Sequence, residues 1–226
     1  MNTDTAALNE ALRALLERED SVTLHGYTPA PGLPAFRRAI AEDLQQRLGV
    51  PAWAEGVYVC CGASAGLAAS FRALCREGEE VAVLAPASPA LQALVEGAGA
   101  RLRVVTDGVF GDNTALVLLE TEREAGALDR LADELRAAQT RLGRPLYLLT
   151  TLPAALRVYD NAVLLHDFAE IPGERLGYLA VSERMAGREA VFAALAGAAR
   201  ACGYVNPPSL MQRAVQHSLR PLTILK

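Results

Sequence analysis

Val57-Tyr58-Val59-Cys60-Cys61-Gly62-Ala63-Ser64-Ala65-Gly66-Leu67 is the stretch that decides the fold. Its first five residues, β-branched, aromatic or small, read as a strand over 57–61. Gly62-Ala63-Ser64 reads as a tight turn, and the alanine-rich run that follows predicts a helix over 65–76. Downstream the same alternation recurs. Val81-Ala82-Val83-Leu84 is a buried strand ending at Pro86, and Ser88-Pro89 caps and starts a helix reaching about Ala98. Strands are expected at 101–105, 114–119 and 145–150, with a long helix over 127–142 between the last two. Strands at 161–166 and 175–181 follow, then helices near 183–201 and 208–219. Short apolar strands alternating with helices imply an α/β fold of three layers, a mostly parallel sheet of about seven strands flanked by helices.

Upstream of the deciding stretch, residues 5–17 place Leu8, Leu12, Leu15 and Leu16 on one helical face, with Asp4 or Thr5 as the cap. His25 to Gly32, rich in Gly and Pro, is loop. Pro34 opens a second helix with Phe36, Ile40, Leu44 and Leu48 at four-residue intervals, and Gly49 stops it. The sequence contains no internal repeat and no linker, so residues 1–226 read as one domain. Residues 1–33 form an N-terminal helix and loop arm, and residues 34–226 the α/β core.

Composition narrows the function. Apolar residues make up 51% of the 226, enough for a large core and too many for a disordered chain. No apolar run approaches the ~20 residues a membrane span needs. The first residues, Met1-Asn2-Thr3-Asp4-Thr5, carry no basic or apolar signal region, which points to the cytoplasm. With 22 basic against 26 acidic residues the formal charge is −4, which argues against binding dominated by nucleic-acid phosphates. Cys60, Cys61, Cys75 and Cys202 match no zinc pattern and no disulfide framework, and read as buried small apolar residues. The basic residues comprise 21 Arg and one Lys, Lys226. Chemistry that needs a primary amine inside the fold finds none.

The wording and order of four segments resemble the class I/II aminotransferases, the fold-type I enzymes that use pyridoxal phosphate. His25-Gly26-Tyr27 with Gly32 is similar to the loop that crosses the dimer in that family. Gly62 to Leu67 resembles its phosphate-binding turn and helix. Glu77-Gly78-Glu79-Glu80-Val81 with Leu84-Ala85-Pro86 is similar to its "PGDEV…P" strand, and Pro172-Gly173-Glu174-Arg175-Leu176-Gly177-Tyr178 to the segment after the cofactor lysine. The likeness runs from about residue 21 to 215. It implies the large domain of that fold, with the small C-terminal domain absent beyond Lys226.

The same resemblance implies eroded chemistry. Family members carry their lysine eight residues before the phosphate-binding arginine; counting back from Arg175 reaches Asp167, preceded by Leu164, Leu165 and His166. The family's Asp-x-x-Tyr becomes Thr151-Leu152-Pro153-Ala154, its Asn-Pro-x-Gly becomes Arg123-Glu124-Ala125-Gly126, and its ring-stacking aromatic becomes Ser88. The stretches 106–113 and 154–162 are shortened. No covalent cofactor and no catalytic residue are therefore expected, and pyridoxal phosphate only non-covalently.

Two readings of the remaining polar groups stay open. The amides of Ala63 and Ser64 at a helix N-terminus, with Arg175 and a neighbouring subunit's Tyr27, would cradle an anion. Alternatively Ser64 caps the helix, Arg175 pairs with a carboxylate such as Asp167, and Tyr27 packs in a loop. His166 and Asp167 suggest cofactor-free proton chemistry, although neighbours on a strand face opposite ways. The expected function is that of a non-catalytic homologue acting as a homodimer or as partner of an active relative. The alternatives are an aminotransferase completed by a partner chain and a binder of small anions, or a decayed remnant.

Overall fold

The computed structural model describes residues 5–84, 87–106, 108–120 and 126–219. Among them seven strands form one sheet in the order β1-β7-β6-β5-β4-β2-β3. They are β1 (Val57–Cys60), β2 (Glu80–Val83), β3 (Arg101–Val104), β4 (Thr114–Leu119), β5 (Tyr147–Thr150), β6 (Ala162–Asp167) and β7 (Gly177–Val181). β7 pairs antiparallel with both β1 and β6, while β3, β2, β4, β5 and β6 pair in parallel. Only β7 is reversed, so the sheet is mostly parallel, as expected.

Nine helices are described: α1 (Thr5–Arg18), α2 (Ser21–His25), α3 (Pro34–Leu48), α4 (Ala63–Leu74), α5 (Pro89–Gly97), α6 (Ala127–Leu142), α7 (Ala155–Val158), α8 (Arg188–Ala201) and α9 (Ser209–Leu219). They divide between the two faces of the sheet. Alternate strand residues belong to two apolar clusters: Val57, Val59, Leu148, Leu164 and Ala180 to one, Tyr58, Cys60, Leu149, Leu165 and Leu179 to the other. The first cluster contains Phe36, Ile40 and Leu44 of α3 and Leu131 and Leu135 of α6; the second contains Phe71 of α4, Val95 of α5 and Leu195 of α8. Both faces of the central strands are covered, which explains their near-continuous apolar sequences. None of the described helices is long and apolar enough to cross a membrane.

Several expectations are corrected. The helix expected from residue 65 begins at Ala63, because Gly62 is already its N-cap. The helix expected from 183 begins at Arg188; residues 182–187 instead make a turn in which Met185 N–H donates to the Ser182 carbonyl and the Met185 side chain is buried. Leu16 is 58% exposed while Leu8 and Leu15 are buried, since it lies about 100° round the helix from Leu15. α2 was not foreseen, although its cap is plain: Thr23 N–H donates to Asp20 Oδ1 over 2.9 Å. α7 falls inside the stretch 154–162. Of the four thiols, Cys60 and Cys75 are buried, but Cys61 and Cys202 are half-buried. The expectations for Pro86, Arg123-Glu124-Ala125, Asp107 within 106–113 and the final Arg220 to Lys226 lie outside the described residues.

Candidate functional site

The reversal of β7 brings three chain segments together at one end of the sheet. Gly177, its first residue, pairs with Cys60, the last of β1, and with Asp167, the last of β6. Parallel sheets bind ligands at this carboxyl end. A side chain at Gly177 would not fit: its Cβ would stand 2.7 Å from the His166 carbonyl oxygen, 3.4 Å from Asp167 Oδ1 and 3.4 Å from Cys60 Sγ.

After β1 the chain turns through Gly62 into α4. Gly62 has φ 80 and ψ 174, backbone space closed to L side chains, and it offers α4 no capping side chain. The first helical bond is Gly66 N–H to the Gly62 carbonyl, at 3.2 Å. The amides of Ala63, Ser64 and Ala65 therefore need partners from outside the helix. One comes from β6: Ala63 N–H donates to Asp167 Oδ1 over 3.0 Å. Ala63 was expected to offer its N–H to a bound anion; that donor is committed within the chain. Ser64 is exposed and its hydroxyl does not cap α4, contrary to the bland reading of that residue.

Arg175 follows the 3-10 turn Pro172–Glu174 in left-handed conformation, φ 50 and ψ 54, so the expected strand 175–181 starts at Gly177. Its guanidinium lies over Gly62: a Cβ there would be 2.7 Å from Arg175 Nη2. Nη1 donates to the Pro172 carbonyl at 3.4 Å, and among the described residues no carboxylate is within ion-pair distance of it. The expected alternative, an Arg175–Asp167 pair, is thus not formed. Burial raises the Cys61 thiol above its ordinary pKa, and the charge of Arg175 opposes that rise.

His166 and Asp167 do not share a site. Asp167 faces α4, whereas His166 lies on the α3 side between the rings of Phe168 and Tyr178, at centroid distances of 5.1 and 4.9 Å. Burial lowers the His166 pKa to about 4, and its Nε2 has no hydrogen-bond partner. Tyr27 is 96% exposed and lines a separate cleft of about 270 Å3 with His25, Thr28, Asn206 and Ser209. Within one chain it is not brought to the Gly62 turn.

The other substituted positions make local bonds. Thr151 donates its hydroxyl to the Glu120 carbonyl. Ser88 caps α5, its Oγ accepting the Leu91 N–H at 3.1 Å. The residue that sequence reasoning placed but did not connect is Asp167. Counting reaches its position, yet its contact with Ala63 depends on the β1-β7-β6 pairing, which no local pattern reveals.

Comparison with known proteins agrees with this architecture. The family model of aminotransferase class I and II matches residues 1–125. The chain belongs to the class I and II aminotransferase family. It is 30% identical over 95 residues to valine–pyruvate aminotransferase of Mycobacterium tuberculosis, covering 42% of this chain and 24% of that protein. An amino transferase structure from Eubacterium rectale superposes with TM-score 0.89 at 29% identity, over 96% of this chain and 63% of that one. A mutant of Thermus thermophilus aspartate aminotransferase superposes with TM-score 0.76 at 21% identity, over 97% of this chain and 62% of that one, a likeness of fold alone. The sheet and its helices match the large domain of these enzymes. The chain spans less than two thirds of the length of these relatives.

Proposed function

We propose that this chain is an aminotransferase-family protein that does not transfer amino groups by itself and acts by association, as a homodimer or as the partner of an active relative. The observation that carries the reading is Asp167, a carboxylate at the mouth of the sheet hydrogen-bonded to Ala63 N–H. Class I and II aminotransferases generally work with pyridoxal phosphate, which supplies an electron sink for the amino acid's Cα carbanion. The enzyme's part is an amine that attaches the cofactor and moves the proton, and general acid–base work alone is worth roughly 10²–10⁴-fold.

The residues present do not fit a covalently held cofactor. An acid stands where the resemblance sets the amine, and Thr151 and Ser88 spend their hydroxyl groups on local backbone bonds. The exposed Tyr27 loop and the face of α1 carrying Leu16 supply apolar surface for a partner.

Borohydride treatment of the purified chain with pyridoxal phosphate tests the first half of the reading. No pyridoxyl adduct on any lysine and no transamination are expected; an adduct with turnover overturns it. Sedimentation of the chain alone, and co-purification with an active relative, test the second half. A strictly monomeric chain that joins no relative overturns association. The competing reading, an aminotransferase completed by another chain, predicts instead that a mixed dimer has activity that neither chain shows alone.

A further inference from the structure

We draw no further inference here: the strongest candidate, the cleft of about 270 Å3 between residues 24–28 and the start of α9, where the Thr28 hydroxyl is buried without a hydrogen-bond partner, carries nothing of its own because the Tyr27 loop walls it and it belongs to the association surface already proposed.

Discussion

Gln212 of α9, fully buried, accepts the Leu33 N–H on its Oε1 at 2.8 Å while its Nε2 donates to the Pro207 carbonyl at 2.8 Å. One side chain thus fastens the end of the N-terminal arm to the last described helix, across 179 residues of sequence. Gln212→Ala should leave both groups unpaired and cost about 1–3 kcal/mol. Urea unfolding reads the loss, and amide exchange at Leu33 should accelerate more than exchange in β5.

Acid should destabilise the protein through His166. Its folded pKa, about 4, lies below the ordinary value of 6.5, so the unfolded chain takes up a proton that the fold refuses. This stability is full above pH 6.5 and is lost as pH falls from there through about 4. The ring faces Phe168 and Tyr178, with Glu170 and α3's Asp43 favouring the charged form and Arg47 opposing it. His166→Phe should flatten the stability–pH curve between these limits by up to about 3 kcal/mol.

At Gly62 two penalties meet. Gly62→Ala forces an L residue into φ 80 and ψ 174 and drives its Cβ against Arg175, for a cost of about 1–3 kcal/mol. Arg175→Ala should be nearly neutral alone and should recover only the part due to contact. A double-mutant cycle on melting free energies separates the two; full recovery would show that the backbone strain is absent.

Thiol labelling should be biphasic. Cys61 and Cys202, half-buried, are expected to react with an aromatic disulfide in the native protein. Cys60 and Cys75 are buried, burial raising both thiols and holding Cys75 near a pKa of about 12, so they should react only on unfolding.

Where local chemistry decides an element, the sequence was legible. α6 was expected at 127–142 and is found at Ala127–Leu142, because its apolar spacing is regular and Gly143 ends it. α3 runs from Pro34 to Leu48 for the same kind of reason. Legibility failed where a boundary has no side-chain signal, as at the bare Gly62 cap, or where a residue sits at the margin of a helical stripe, as Leu16 does. In the site, counting from Arg175 reached Asp167. Its partner stayed hidden because the contact crosses β1, β7 and β6, whose order reverses the run of the chain. Sequence alone suggested Arg175 as that partner, yet the helix end proved the nearer positive group.

The alternation at the end of β6 also acts as a check on assembly. Were β6 to pair with β7 one position out of step, the imidazole would swing to the α4 side and the acid would be thrust toward Phe36 and Tyr178. An unpaired charge among rings and an unfilled helix start would be penalised together. Two adjacent residues of opposite taste therefore make the mispaired sheet self-rejecting, and a folding chain has reason to discard it before the last helices close over the edge.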